Sequence, residues 1–199
     1  MQVQNYLNSV GYYSFEGHSL DCPEQAVDLE EVCRKYAKNN MMEIGFNAGH
    51  SADIFLSTSK DLELLSFDLG EHDYSNEAKK YMDMTYPSRH SIIYGDSKRT
   101  IPEYIEQNEN KIFDLIFIDG GHDYETAHAD LINCRNLADE NTVVIMDDTY
   151  FSDDANPQYN VIPGKVWTDY MNQGKVMEFK RYDYGRWGRG MCIGRYLFE

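Results

Sequence analysis

Residues 41–52 read Met41-Met42-Glu43-Ile44-Gly45-Phe46-Asn47-Ala48-Gly49-His50-Ser51-Ala52. Met41 to Ile44 is an apolar run of strand length. Gly45 and Gly49 then allow the backbone to turn sharply and approach a ligand, while Ser51 opens the next helix with a hydroxyl beside free N–H groups. A lone pair of glycines serves a tight strand-to-helix turn equally well. The surroundings therefore decide the reading.

Outward from this stretch the same alternation repeats. Strand-length apolar runs recur at Leu62 to Phe67, Ser91 to Tyr94, Phe113 to Ile118 and Thr142 to Met146. Helical stretches separate them near Ser51 to Ser59, Ser75 to Met84, Lys98 to Glu109 and Tyr124 to Ala138, the last with an apolar stripe at Tyr124, Ala127, Leu131, Cys134 and Ala138. Nearly continuous apolar strands are buried on both faces, which means a parallel sheet covered by helices. Before the sheet, Pro23 precedes a one-sided stripe at Ala26, Leu29, Cys33, Tyr36 and Ala37, a first, peripheral helix from Glu24 to Asn39.

The last fifty or so residues break the rhythm. A loop rich in Asp, Asn and Pro from Phe151 to Pro163 leads to a helix near Lys165 to Met171. Two further runs follow, Lys175 to Tyr182 and Gly190 to Phe198, joined through Tyr184-Gly185-Arg186-Trp187-Gly188. They suit an antiparallel hairpin closing the sheet edge. The fold class is thus α/β, a Rossmann-like, doubly wound, seven-stranded and mostly parallel sheet with an antiparallel C-terminal hairpin.

The 199 residues suffice for one domain and leave too little chain for a second core. A net charge of −16 repels a phosphate backbone, and the one basic cluster, Lys180, Arg181, Arg186, Arg189 and Arg195, is interleaved with acids and apolar residues. Nucleic acid and anionic membrane surfaces are excluded as expected partners. No apolar run approaches the roughly 20 residues of a membrane span, and Met1 to Val10 lacks the basic and apolar regions of a leader, so a cytoplasmic protein is expected. Cys22, Cys33, Cys134 and Cys192 lie far apart without a CxxC pair and read as reduced core residues.

In an open parallel sheet, ligands bind beyond the carboxyl ends of the strands, where strand order reverses, and the polar signals fall there. The glycines, four apart with Asn47 between them, lack the GxGxxG spacing of a pyrophosphate-binding dinucleotide site. Asp68 ends the second strand about 20 residues beyond the glycines, where a carboxylate accepts both hydroxyls of a ribose; capping of the next turn is the plainer role. Gly95-Asp96-Ser97 follows the third strand, with side chains able to bond an adenine edge or simply to cap a helix. Together the three sites imply an adenosine-containing ligand.

Asp119 ends the fourth strand and Asp147-Asp148 the fifth, so adjacent parallel strands bring three carboxylates into one small space. Such crowding raises carboxylate pKa values unless a cation neutralises it. A hard divalent ion with oxygen ligands, Mg2+, suits this set. The plainer alternative has Asp148 capping the following loop and Asp119 only positioning a cofactor. His122, three residues past Asp119, titrates near neutrality and could remove a hydroxyl proton, or could be a helix-start residue bonded to Glu125 or the backbone. His18, His50, His72, His90 and His128 show no metal-ligand spacing and read as surface or cofactor-adjacent packing. Tyr12, Tyr13 and Phe15 before the sheet, with Tyr150, Phe151 and Tyr159 after Asp148, could form a lid or ordinary packing.

In these stretches the sequence resembles the class I S-adenosylmethionine-dependent methyltransferases, and among them the small metal-dependent O-methyltransferases of the catechol and sugar-modifying type. The likeness runs from about Met41 to Thr149 and rests on EIGFNAGHSA at Glu43 to Ala52, GDS at Gly95 to Ser97, FDLIFIDGGHDYE at Phe113 to Glu125 and VVIMDDT at Val143 to Thr149. It implies S-adenosyl-L-methionine as cofactor, with Gly45, Gly49 and Ser51 holding the methionine moiety, Asp68 on the ribose, Asp96 and Ser97 near the adenine, and Glu43, Asn47 and Asp119 also among the cofactor-binding residues. It implies Mg2+ or another divalent ion on Asp119, Asp147 and Asp148, the sugar-type Asp-Asp pair. His122 stands where catechol-type enzymes carry a catalytic Lys, whereas sugar-type enzymes place a basic Asp one residue earlier, at Gly121 here. Asn47 replaces a frequent Gly of the wider superfamily.

The resemblance divides a single domain, 1–199, into an N-terminal lid and helix (1–40), a cofactor-binding core (41–149) and an acceptor loop with terminal hairpin (150–199). The expected reaction is methylation of a hydroxyl on a small-molecule acceptor, and the protein could form a homodimer. Metal-independent N-methylation and non-catalytic cofactor binding remain open at this level, because fold alone does not choose the acceptor.

Overall fold

The computed structural model describes residues 2–150, 161–185 and 189–198. The sheet order is β3-β2-β1-β4-β5-β7-β6, built from β1 (Asn40–Ile44), β2 (Glu63–Asp68), β3 (His90–Tyr94), β4 (Leu115–Ile118), β5 (Val143–Met146), β6 (Val176–Asp183) and β7 (Gly190–Tyr196). The first five strands pair in parallel, and β7 runs antiparallel to both β5 and β6. Each parallel strand lies within a few residues of its apolar run. The hairpin does more than close the edge: β7 inserts between β5 and β6, leaving β6 outermost. Their burial differs accordingly, with β7 almost wholly buried and β6 mostly open.

Because side chains alternate across a strand, each strand feeds two cores. Met41, Leu115, Phe117 and Ile145 face one side, packed with Leu7, Leu29, Phe55 and Tyr81. These come from α1 (Val3–Ser9), α2 (Pro23–Tyr36), α3 (His50–Thr58) and α4 (Asp73–Thr85). Met42, Ile116, Ile118 and Met146 face the other side, packed with Ile101, Leu131 and Trp167 from α5 (Ser97–Gln107), α6 (Tyr124–Cys134) and α7 (Val161–Asn172). Residues 135–137 extend α6 as one tighter turn, which accounts for the longer helix expected from the stripe.

The short helix α1 has no strong apolar signal of its own. Tertiary burial of Val3 and Leu7 holds it. All four cysteines are free and buried, as expected of reduced core residues. Among the described residues, no helix is long and apolar enough to cross a membrane. The topological reversal falls between β1 and β4, since β2 lies on one side of β1 and β4 on the other. That crevice is where a ligand is expected.

Candidate active site

The turn after β1 is built against the end of β4. Gly45 has φ +94°, and a Cβ there would overlap the carbonyl oxygen of Asp119, so only glycine admits so close an approach of the two strand ends. Asn47 also adopts a left-handed conformation, φ 49°, one of the few non-glycine types that does so readily. Its Nδ2 donates to the carbonyls of Glu16 (3.3 Å) and Gly17 (3.2 Å). The N-terminal segment is thereby tied across the loop, where His18 stacks on His50 with 4.0 Å between ring centroids.

Glu43 lies beneath the loop. It is fully buried, and its two oxygens accept the hydroxyls of Ser51 (2.9 Å) and Ser66 (2.7 Å). Ser51 therefore spends its hydroxyl on Glu43. Ser66 also meets Nε2 of His90 at 2.7 Å. Burial pushes the Glu43 carboxyl up to about 7 and the His90 imidazole down to about 3. A carboxyl with a raised folded-state pKa stabilises the fold fully below its unfolded value, and that contribution is lost as pH rises through about 7. Glu43→Gln should therefore lose less thermal stability than the wild type between about pH 5 and about pH 8 in scanning calorimetry; identical slopes would remove Glu43 as their source.

At the end of β2, the Asp68 carboxylate accepts the backbone N–H of Asn47 at 2.8 Å through Oδ2 and that of Gly70 at 2.7 Å through Oδ1. Each oxygen keeps a free lone pair, so the group is fixed in direction and still able to accept. Asp96 caps α5, accepting the Lys98 N–H at 2.9 Å, and Ser97 begins that helix.

The acidic end is divided in two. Pairing of Ile118 with Met146 brings Asp119 and Asp147 to the same level. Asp147 is buried, and both its oxygens accept Nε2 of Gln25 at 2.7 Å. Gln25 is in turn bonded through Oε1 to Nη1 of Arg189, 3.0 Å away. Asp148 takes φ 52° and places Oδ2 2.9 Å from Nε2 of His122. Ligand atoms of Asp119, His122 and Asp148 all lie within 4.8 Å of one another.

The cluster's acids perturb one another. Burial, then Asp147 and Asp148, raise the Asp119 carboxyl well above the usual carboxylate range. The hydrogen bond to Asp148 holds the His122 imidazole above its ordinary value, against the opposing effect of burial. Of the three expected acids, Asp119 and Asp148 thus converge with His122, while Asp147 is held by Gln25. Gln25 escaped the sequence reading; its only signal is a polar residue on the face of α2 that buries Leu29, Val32 and Cys33.

Among the proposed lid residues, Phe15 packs edge-on against His50 and Tyr74, Tyr12 packs against Tyr74, and Tyr13 is exposed. Tyr150 is half-buried. Phe151 and Tyr159 lie outside the described residues.

A family model described as a methyltransferase domain matches residues 42–149. That span exceeds half the chain, and the chain belongs to this methyltransferase family. Its fold is that of the class I enzymes, and it is an S-adenosylmethionine-dependent methyltransferase. None of the curated proteins matches. Similar solved structures include an O-methyltransferase from Bacillus cereus in complex with SAH, at 16% identity and TM-score 0.74, covering 97% of this chain and 88% of that one. The O-methyltransferase TomG from Streptomyces achromogenes, involved in tomaymycin synthesis and in complex with SAM, is 13% identical with TM-score 0.71, covering 98% and 88%. The N-methyltransferase NodS from Bradyrhizobium japonicum is 16% identical with TM-score 0.64, covering 87% and 95%.

Proposed function

We propose that the protein methylates a hydroxyl of a small molecule, with His122 as the general base. The observation that carries this reading is the 2.9 Å contact between His122 and Asp148 at the carboxyl ends of β4 and β5. A carboxylate bonded to one ring nitrogen fixes the imidazole's orientation and tautomer and stabilises the imidazolium once a proton arrives. S-adenosylmethionine supplies the electrophilic methyl group. Asp68 binds the ribose, Asp96 and Ser97 face the adenine, and the Gly45–Gly49 turn holds the methionine end. The likeness to solved O-methyltransferases favours an oxygen acceptor.

The donor set also fits a divalent ion. Two carboxylates and an imidazole within 4.8 Å of one another are ligand types that such ions accept. Asp119 and Asp148 would hold a hard ion such as Mg2+ and leave His122 free as the base; Asp147, whose oxygens each accept from Gln25, keeps lone pairs with which it could join them. A bound ion would supply Lewis acidity, lowering the pKa of the acceptor hydroxyl.

The test is a methyl-transfer assay over a panel of catechol, sugar and amine acceptors, with and without EDTA. Transfer to a hydroxyl that stops with chelator and returns with Mg2+ is the expected result. Transfer indifferent to EDTA rejects the metal, and transfer confined to amines rejects O-methylation.

A further inference from the structure

Gln25 is 0% exposed on the inner face of α2, and its amide lies opposite the edge of Asp147: Nε2 is 2.7 Å from Oδ1 and 2.7 Å from Oδ2. The amide cannot be turned end for end, because its Oε1 accepts from Nη1 of Arg189 at 3.0 Å. Arg189 directly precedes β7 and is itself pinned. Its Nη2 lies 3.7 Å from Oδ2 of Asp21, and a Cβ on Gly17 would stand 3.4 Å from the same nitrogen, so the N-terminal segment lies against the guanidinium. Segments far apart in sequence thus fix one carboxylate, while its neighbour Asp148 meets His122 instead.

A carboxylate binds an ion bidentately only through the edge between its two oxygens, and the Gln25 nitrogen occupies that edge of Asp147. What remains to an ion is an outer lone pair on a single oxygen. Ca2+ takes roughly six to eight oxygens, often from bidentate carboxylates, whereas Mg2+ requires a near-octahedral shell of single oxygens and keeps several waters. We propose that Gln25, oriented by Arg189, is a positioning residue that sets ion selectivity: by occupying the bidentate edge of Asp147 it disfavours Ca2+ relative to Mg2+. This rests on the ion placement at Asp119 and Asp148 given above, with Asp147 as an added ligand. The selection is geometric, since the amide is neutral and both ions carry the same charge. Removing the amide opens the edge to either ion, and only the larger, more adaptable shell of Ca2+ gains a second oxygen from it.

The experiment is calorimetric titration of the full-length protein with Mg2+ and, separately, with Ca2+, at about 0.15 M salt to screen the exposed acids. In Gln25→Met, which keeps the length of the side chain and removes its donor, the ratio of Ca2+ to Mg2+ affinity should rise roughly 10-fold, within the range over which partners of metal ligands act. Arg189→Met should move the ratio in the same direction by less, because the amide remains but is free to turn. The charge lost with Arg189 acts on both ions alike and cancels in the ratio. An unchanged ratio in Gln25→Met overturns the proposal, as does equal weakening of both ions, the mark of a merely structural role. Should that variant fail to fold, an unchanged ratio in Arg189→Met overturns it in the same way. A wild type that binds neither ion overturns instead the metal reading on which the inference rests.

Discussion

Replacing His122 by alanine is expected to lower turnover by about 10²- to 10⁴-fold, the range over which a positioned general base contributes. Affinity for S-adenosylhomocysteine should stay nearly unchanged. The expectation follows from position: His122 is four residues beyond the end of β4, and its partner Asp148 is two residues beyond the end of β5. Neither belongs to the Gly45–Gly49 turn or to the Asp68 anchor. Because Asp148 raises the imidazole pKa, and the base must be unprotonated to act, activity should climb with pH through a value above the ordinary 6.5. Asp148→Asn, which also removes a carboxylate proposed to hold the ion, should lower turnover and shift that limb of the remaining activity toward lower pH. Full turnover in His122→Ala would leave proton removal to another group and defeat the assignment.

Gly45→Ala is expected to damage the fold itself. The left-handed backbone at φ +94° costs a residue with a Cβ about 1–3 kcal/mol, and here the added atom also collides with the Asp119 carbonyl. For a chain of this size each kcal/mol lowers Tm by roughly 2–4 °C. Gly174→Ala provides the comparison, since Gly174 has φ +68° but nothing within 4 Å of an added Cβ. The difference between the two variants in thermal melts isolates the contact between β1 and β4, and equal losses would show that the contact carries no strain. Because that contact also sets the spacing of the nucleoside crevice, Gly45→Ala should lose cofactor affinity where Gly174→Ala keeps it.

Much of this architecture was legible in the residues, because a parallel sheet buried on both faces writes each strand as a nearly unbroken apolar run, and β4 and β5 are buried at every position. The position of β7 was less so. Strand order in a hairpin depends on which strand covers β5; the signal was there in the contrast between Lys175 to Tyr182, with four charged residues, and Gly190 to Phe198, with Arg195 alone, but reading the two runs only as a hairpin did not use it. Helix α1 was hidden because two buried residues hold it. The polar site divides the same way. Asp68, Asp119 and His122 stand at strand ends, where position along the chain is position in space. Gln25 reaches Asp147 from 122 residues away, and the left-handed turn at Asp148 that aims it at His122 has no pattern in a lone Asp-Asp pair. Contacts across such distances are set by packing between layers.

The most direct measurement is a calorimetric titration of the protein with S-adenosylhomocysteine, repeated with Asp68→Ala. The crevice between β1 and β4 predicts one ligand per chain and a clear loss of affinity in the variant, because the wild-type Asp68 carboxylate, oriented by the N–H groups of Asn47 and Gly70, is the group proposed to receive the ribose. Absence of binding by the wild type, or equal binding by Asp68→Ala, would contradict the placement of the nucleoside in this crevice.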